Sequence, residues 1–378
     1  MLRPWGVLTA LFVCVGPLQA QDAALPAPPR IAAASYYLVD FASGHVLAQS
    51  AAERRVPPAS LTKLMTAYAV FKALEEGRIS VDDEVHVSEK AWRMGGTRMF
   101  IEVNSRVPVE ALIRGMLIQS GNDASVALAE HVAGSVDAFV ALMNAYAEAL
   151  GMSDTAYRNP TGLPAREHYS SAHDLAILAR ALIAEFPDYY GLYAEREFTY
   201  NGIKQHNRNR LLWRDSSVDG LKTGHTNAAG YCLVTSAQRD GMRLIAVILG
   251  ADSANARTAA GQKLLDYGFQ SYETHKLYSA GQEISTARVW GGQPEVTALG
   301  LATDLFVTIP RGLYESLNAS MDLRTDLAAP LDAGSAVGEV KVLLQGLEIS
   351  RVPLVVLQQV ADGGAWARLR DEVSLWLE

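Results

Sequence analysis

Residues 56–67, VPPASLTKLMTA, contain the pattern from which the rest of the chain can be interpreted. Two prolines end an irregular approach, and a Ser-x-x-Lys sequence then opens an apolar run that predicts a buried helix. Residues three apart share a helix face, so Ser60 and Lys63 can hydrogen-bond one another. Ser60 would also lie at the helix N-terminus, where free N–H groups and partial positive charge stabilise an oxyanion. The stretch therefore holds a candidate nucleophile, a candidate base and an anion-stabilising dipole.

Two further short motifs strengthen this interpretation. Alone, Ser-x-x-Lys is also what an N-cap serine followed by a solvated lysine would give. Ser120-Gly121-Asn122 falls between two predicted helices, and Lys222-Thr223-Gly224 directly precedes a predicted hairpin. Each triplet alone would be an ordinary turn or strand end. In this order, the three motifs match the set used by β-lactamases and penicillin-binding proteins.

Composition and charge restrict the class of protein. The chain has 378 residues, 49% of them hydrophobic and 20% charged, which suits two domains or one large domain with a buried core. Its formal net charge is −8 and it has no basic stripe interleaved with aromatic residues, so we expect no nucleic acid as a partner. Its two cysteines, Cys14 and Cys232, are too few for a disulfide framework.

Residues 1–20 have the pattern of a secretory signal peptide. An early positive charge is followed by an apolar run at 6–15 and by the small residue Ala20 at the expected cleavage site. The apolar run is too short to span a bilayer. Cleavage after Ala23 is the alternative. We therefore expect an exported protein whose mature chain begins with a proline-rich linker at residues 21–30.

Periodicity separates the mature chain into two regions. In residues 31–271, predicted strands at both ends enclose a helical middle, which indicates an α/β (α+β) domain whose terminal strands share one sheet. Its predicted elements are hairpins at 36–49 and 231–250 and helices near 60–76, 108–118, 123–133, 136–151, 172–184 and 254–267. In residues 272–361, short alternating runs between Gly, Pro and Asp turns predict a small all-β domain.

The chain resembles the D-alanyl-D-alanine carboxypeptidase family typified by penicillin-binding protein 5. The resemblance runs from about residue 35 to the C-terminus. Beyond the three motifs it includes residues 112–115, 119–124, 207–213, 218–225 and 353–356. The chain departs from the family in a shorter loop at 88–104 and a shorter C-terminal tail. The fold implied by the resemblance is a serine β-lactamase/DD-peptidase-like catalytic domain with a small C-terminal all-β domain.

The resemblance implies a serine-peptidase mechanism with no metal and no cofactor. Ser60 would attack the carbonyl between two D-alanines with Lys63 as the base, and water would later release the shortened peptide. Ser120 would relay a proton to the leaving amine, and Asn122 would hold the peptide amide. For Lys63 to be neutral its pKa must fall, which desolvation and the charge of Lys222 would cause.

The strand motif supplies the expected substrate contacts. Gly224 would let the peptide backbone approach a strand edge, and the backbone N–H groups of Ser60 and His225 would form the oxyanion hole. The residues expected to bind the substrate's terminal carboxylate are Lys222, Thr223 and Arg257. The expected partners are peptidoglycan stem peptides and, as covalent inhibitors, β-lactam antibiotics.

Several residues near these motifs also have structural interpretations. Arg257 fits a surface position on an amphipathic helix, and Arg208 fits a structural salt bridge near the site. Cys232, on an apolar strand, fits a packing role. Trp213 and Tyr231 fit the core or a pocket wall.

The sequence also leaves other functions as alternatives. A DD-endopeptidase shares the same motifs, although the appended β-domain favours the carboxypeptidase group. A class A β-lactamase would carry Glu-x-x-Leu-Asn between the second and third motifs, and no glutamate there is followed by it. A catalytically silent wall-binding protein would not need the intact motif residues. A zinc carboxypeptidase would need three converging ligands, and the eight histidines include no His-Glu-x-x-His.

Residues 362–378 consist of a flexible break, Asp362-Gly363-Gly364, followed by a segment that is predicted to form an amphipathic helix. Its predicted apolar face carries Trp366, Leu369, Val373, Trp376 and Leu377. By resemblance, this helix would lie on the outer face of the cytoplasmic membrane and hold a periplasmic protein there peripherally. The alternative is a helix packed against the protein's own β-domain.

Overall fold

A computed structural model describes residues 27–324 and 326–365 of the chain. The predicted signal peptide, and residues 366–378 of the predicted C-terminal helix, lie outside these described residues. Residues 27–34 precede the first strand and contain no helix or strand.

The first part of the chain mixes strands and helices. Its strands are β1 (Ser35–Asp40), β2 (Val46–Ser50), β3 (Glu84–His86), β4 (Arg106–Pro108), β5 (Glu197–Tyr200), β6 (Ile203–His206), β7 (Val218–Thr226), β8 (Gly230–Arg239) and β9 (Met242–Ala251). Its helices are α1 (Thr62–Glu75), α2 (Glu89–Trp92), α3 (Val109–Leu117), α4 (Asn122–Ala133), α5 (Val136–Ala149), α6 (Ala172–Glu185), α7 (Pro187–Tyr190), α8 (Leu211–Arg214) and α9 (Ala254–Ser271). The predicted hairpins and helices are confirmed. The short strands β3–β6 were not predicted.

The central sheet has the order β2-β1-β9-β8-β7, and its pairings are antiparallel. Because β1 pairs with β9, strands from both ends of this region share one sheet, as the sequence predicted. The Lys-Thr-Gly motif lies inside β7, where its residues pair with residues 232–234 of β8. As predicted, the motif directly precedes the β8–β9 hairpin in the chain. It lies in a third strand at the sheet edge, which was not predicted.

Both faces of this sheet are covered. Along β9, alternate residues point to opposite faces, so Val247 packs in one core with Phe71 of α1, and Ile248 packs in another with Leu264 of α9. Burial on both faces explains why β9 reads as a continuous apolar run. Among the described residues, no single helix is long and apolar enough to cross a membrane; α4 and α5 pass that test only as a pair bent by 85°.

A small all-β region follows α9 directly. Its strands are β10 (Tyr272–Tyr278), β11 (Ser285–Arg288), β12 (Gly292–Gln293), β13 (Val296–Gly300), β14 (Leu305–Pro310), β15 (Leu317–Leu323), β16 (Ala336–Leu344), β17 (Leu347–Val356) and β18 (Ala361–Asp362). Five of them form a sheet in the order β11-β13-β17-β16-β15 over a separate apolar core. The predicted fold class, an α/β domain followed by an all-β domain, is confirmed.

Polar contacts connect the two regions near the β1–β2 turn. The hydroxyl of Thr274 donates to Asp40 Oδ2 at 2.9 Å, and the hydroxyls of Ser43 and Thr308 lie 2.6 Å apart. Arg311 Nε also donates to the carbonyl of Phe269 at 2.7 Å. The β-region therefore attaches beside β1 and the end of α9.

Candidate active site

Ser60 lies where three segments of chain approach one another closely. It belongs to a short 3-10 turn that leads into α1, and the preceding Ala59 has a positive φ of 49°. A Cβ on Gly162, whose φ is +83°, would lie 1.8 Å from the Ala59 carbonyl oxygen. A Cβ on Gly224 would lie 3.2 Å from the Ser60 nitrogen. The missing Cβ atoms therefore let the turn at 159–162 and strand β7 close around the serine.

Lys63 lies one turn after Ser60, and its side chain is fully buried. Its Nζ is 3.3 Å from Ser60 Oγ, 2.7 Å from Asn122 Oδ1 and 2.6 Å from the Thr161 carbonyl oxygen. The amide and carbonyl oxygens can only accept hydrogen bonds. A neutral Lys63 amine would use its two N–H groups on them, which leaves its lone pair for the hydroxyl proton of Ser60. This geometry suits proton abstraction from the serine.

The surroundings of Lys63 favour the neutral form of its amine. The pKa of Lys63 falls to about 7, chiefly because burial removes the ammonium from water; Asp123 opposes the shift and Arg208 adds to it. Lys222, the neighbouring charge expected from the sequence, interacts with Lys63, and Arg208 lowers the pKa of both lysines. Burial, together with the charges of Lys63, Arg208 and Arg257, lowers the pKa of Lys222 itself well below its usual value.

Ser120 reaches the site from a strained turn between α3 and α4. Its φ is +68°, which is uncommon for a residue other than glycine, and its carbonyl accepts a 2.6 Å hydrogen bond from Thr97 Oγ1. Its Oγ is buried and has no hydrogen-bond partner among the described residues. Buried hydroxyls without a hydrogen-bond partner are rare. The strained backbone of Ser120 persists because the surrounding structure holds it in place. The hydroxyl is thus available to exchange a proton with a bound substrate.

The first residues of α4 hold a loop over the site. Besides contacting the lysine amine, Asn122 donates from Nδ2 to the Gly95 carbonyl at 2.7 Å. The Asp123 carboxylate accepts hydrogen bonds of 2.9 Å from the backbone nitrogens of Met99 and Phe100. Asp123 was not among the expected site residues; the available signal was an acidic residue directly after Ser-Gly-Asn.

A cavity of about 610 Å³ lies between these residues and the open edge of β7. Among its lining residues are Ser60, Ser120, Asn122, Thr223, Gly224, His225 and Arg257. Lys63 and Lys222 lie buried behind this surface, and Lys222 Nζ donates to the Thr223 carbonyl at 3.1 Å. The structure therefore brings together all the residues that the sequence pointed to.

Arg257 lies in the first turns of α9 and is buried, so the surface interpretation of this residue is wrong. Its Nη1 donates to the Gly224 carbonyl at 3.2 Å and to the Cys232 carbonyl at 3.4 Å, and its guanidinium lies 5.7 Å from the centre of the Tyr231 ring. Burial lowers its pKa to about 10, so it remains a cation at neutral pH. A buried cation at the cavity wall suits an anionic substrate group.

The turn at residues 159–162 is part of the site, although the sequence predicted only a turn there. Asn159 Oδ1 accepts hydrogen bonds from the Thr161 nitrogen at 3.1 Å and the Gly162 nitrogen at 2.8 Å. This Asx-type turn aims the Thr161 carbonyl at Lys63. The Asn-Pro-Thr-Gly sequence predicts the turn, but nothing in it indicates which side chain the carbonyl meets.

Two further interpretations were wrong, and two are confirmed. Arg208 lines the cavity and forms no ion pair with any other described residue, so it is not a salt-bridge residue. Trp213 is 46% exposed, outside the core and the cavity lining. Cys232 is buried in β8, and Tyr231 lines the cavity.

Comparison with known proteins gives the same family as the sequence motifs. Residues 22–253 match the D-alanyl-D-alanine carboxypeptidase family, and residues 272–362 match the C-terminal domain of penicillin-binding protein 5. The chain is 44% identical to the D-alanyl-D-alanine carboxypeptidase DacA of Escherichia coli K12 over 359 residues, which cover 93% of this chain and 89% of that protein.

Solved structures of penicillin-binding proteins superpose on this chain. Penicillin-binding protein 5 from Haemophilus influenzae superposes with a TM-score of 0.86 at 43% identity, over 88% of this chain and 99% of that one. Penicillin-binding protein D2 from Listeria monocytogenes, in its ampicillin-bound form, superposes with a TM-score of 0.59 at 32% identity, over 64% of this chain and all (100%) of that one. The chain therefore belongs to the D-alanyl-D-alanine carboxypeptidase family of serine peptidases and carries the C-terminal domain of its penicillin-binding protein 5 branch.

Proposed function

We propose that this protein is a serine-type D-Ala-D-Ala carboxypeptidase that removes the terminal D-alanine from peptidoglycan stem pentapeptides through an acyl-enzyme on Ser60. The observation that carries this proposal is the buried Lys63 amine. Two of its three partners are pure acceptors, and the third is the Ser60 hydroxyl at 3.3 Å. With a pKa of about 7, this amine is substantially neutral at physiological pH and can take the serine proton.

The proposed reaction proceeds in two halves. Ser60 Oγ bonds to the penultimate D-alanine carbonyl carbon as its proton moves to Lys63 Nζ, and the resulting oxyanion faces the backbone N–H groups of Ser60 and His225. Collapse breaks the C–N bond, and the leaving nitrogen takes a proton through the Ser120 hydroxyl and departs as D-alanine. Lys63, neutral again, then deprotonates a water that attacks the ester, and the serine recovers its proton.

The strand side of the cavity orients the substrate in this scheme. β7 is an edge strand, so an extended peptide can pair with its free side and place the scissile carbonyl beside Ser60. Asn122 would hold the peptide amide, and the terminal carboxylate would meet the residues Lys222, Thr223 and Arg257. A β-lactam would acylate the same serine by ring opening, and its amine would stay tethered to the acyl group.

The decisive measurement is mass spectrometry of a diacetylated Lys-D-Ala-D-Ala peptide after incubation with the protein. We expect loss of one D-alanine, and we expect the Ser60→Ala protein to release none and to form no penicilloyl adduct while keeping its melting temperature. Cleavage only of crosslinked dimers would indicate an endopeptidase instead. Penicilloylation that persists in the Ser60→Ala protein would contradict the assignment of the nucleophile.

We further propose that the protein acts in the periplasm, held on the outer face of the cytoplasmic membrane by residues 362–378. Support comes from the signal pattern of residues 1–20 and from the two tryptophans on the predicted apolar face of the C-terminal segment, a residue type that suits the membrane interface. In liposome flotation, the mature protein should partition with lipid more than a truncation ending at Gly364. Equal partitioning of the two forms would show that this segment is not the anchor.

A further inference from the structure

A second cavity of about 320 Å³ adjoins the active-site cavity. The two share the wall residues Gly162, Leu163 and Thr226. The remaining lining of the second cavity is Pro57, Pro58, Pro164, Ala165, Arg166, His168 and Ala228. Its walls are thus mostly apolar and carry three prolines, and it opens beside the nucleophile rather than elsewhere on the surface.

The walls of the second cavity are held in place by hydrogen bonds to α1. His168 Nε2 lies 2.8 Å from Thr62 Oγ1, and Thr66 Oγ1 donates to the Pro160 carbonyl at 2.7 Å. The Lys63 amine holds the intervening part of the same loop. Because three residues in the first two turns of α1, Thr62, Lys63 and Thr66, fix this loop, the cavity is formed before any ligand arrives.

The direction of β7 decides which half of a substrate reaches this cavity. A peptide paired antiparallel to β7, with its terminal carboxylate near Thr223 and Arg257, runs backward from that carboxylate toward Thr226. The three steps from Thr223 to Thr226 span roughly 10 Å. In that pose, the residue that precedes D-Ala-D-Ala would lie at the entrance of the second cavity, on the side that remains in the acyl-enzyme.

Arg166 is the charged side chain of this cavity. It is exposed, and it forms no ion pair with any other residue in the described ranges. Its neighbour Glu167 is occupied by Arg158 at 3.3 Å. The other titratable lining residue, His168, is buried with both ring nitrogens hydrogen-bonded. The cavity therefore offers one available cation against an apolar wall.

We propose that the second cavity binds the donor part of the substrate, and that Arg166 selects peptides whose residue before D-Ala-D-Ala ends its side chain in a free carboxylate. The inference rests on the proposed carboxypeptidase function. The aliphatic part of such a side chain packs along Pro57, Pro58 and Leu163, and its carboxylate meets the guanidinium. Arg166 is thus a specificity-determining residue, outside the reacting atoms.

A matched pair of peptides tests this proposal. Both end in D-Ala-D-Ala after a diaminopimelate residue, and they differ only in whether the side-chain carboxyl is free or converted to the carboxamide. We expect the wild-type protein to cleave the free acid with a kcat/KM about twofold to fivefold higher, the range of a solvent-exposed ion pair. The preference should shrink as ionic strength rises.

Variants of Arg166 complete the design. Arg166→Gln should bring the acid-to-amide ratio of kcat/KM to about one, Arg166→Glu should invert it, and Arg166→Lys should retain part of it. The matched control is Arg324→Gln, at an exposed arginine on the β-region, which should keep the wild-type ratio. An identical ratio in the wild-type and Arg166→Gln proteins overturns the proposal. Failure to release D-alanine from either peptide overturns the carboxypeptidase function and this inference together.

Discussion

The two walls of the active-site cavity are prepared to different degrees. On the serine wall (residues 59–63 with Asn122 and Thr161), the Lys63 amine already has three partners within 3.3 Å. On the strand wall (residues 222–226 with Arg257), the Lys222 amine has one hydrogen bond among the described residues, to its neighbour's carbonyl. The serine wall is thus arranged for proton transfer before substrate binds, whereas the strand wall offers the Arg257 cation and a free strand edge to the substrate.

The largest effect should come from removing the base on the serine wall. Lys63→Ala should lower the rate of β-lactam acylation by about 10²- to 10⁴-fold, because Ser60 loses its proton acceptor. Stopped-flow acylation with a chromogenic β-lactam measures the rate. Lys72→Ala, on the same helix and half-buried in an ion pair with Glu185, is the control and should acylate normally. Equal rates in the two variants would remove Lys63 from the mechanism.

The next prediction concerns the close contact between the serine wall and the turn at residues 159–162. Gly162→Ala places a Cβ 1.8 Å from the Ala59 carbonyl, so the backbone beside Ser60 must move and acylation should fall by about a hundredfold. Gly151→Ala is the matched control, because its φ of +77° carries the same strain with no atom within 4 Å of the added Cβ. Comparing acylation rates and melting temperatures separates the contact from the strain. Similar losses of acylation rate in the two variants would mean that backbone strain, and not the contact with Ala59, causes the effect.

On the strand wall, the prediction concerns substrate binding rather than proton transfer. Arg257→Ala should lower kcat/KM for a D-Ala-D-Ala peptide by about 10- to 100-fold, because a charge-assisted contact to the terminal carboxylate is lost. Arg257→Lys should restore part of the loss. Lys263→Ala, on the exposed side of the same helix, is the control. An unchanged kcat/KM in Arg257→Ala would mean that the arginine only supports the Gly224 and Cys232 carbonyls.

The smallest expected effect concerns Arg208, whose charge lowers the pKa of Lys63 on the serine wall and of Lys222 on the strand wall. A lysine base works in its neutral form, so acylation should be present above pH about 7 and be lost as pH falls through that value. Arg208 lowers the pKa of Lys63, so Arg208→Gln should move the midpoint of the pH profile upward by less than about one unit. Arg214→Gln, at an exposed position on α8, should leave the midpoint in place. A downward shift in Arg208→Gln would contradict the electrostatic account.

Much of the fold followed from local patterns. Two strand-like runs joined by Arg239-Asp240-Gly241 predicted the β8–β9 hairpin, and helical periodicity predicted α1 and α3–α6. The short strands β3–β6 escaped because runs of three or four residues carry too little periodicity to separate them from loops. The strand β7 that carries the Lys-Thr-Gly motif was not among the predicted elements either.

The motif residues themselves were readable from the chain, because a nucleophile, a base and cations at a helix start and a strand edge form a recognisable chemical set. Their partners were not readable. The Thr161 carbonyl meets Lys63 across 98 positions of sequence, and Arg208, which was expected in a salt bridge, instead lowers the pKa of that lysine. Such contacts depend on which loops the packed core brings together and how far water is excluded, which no local pattern encodes. Residue types set the chemistry that this protein can perform, and tertiary packing set the protonation and reach of each group.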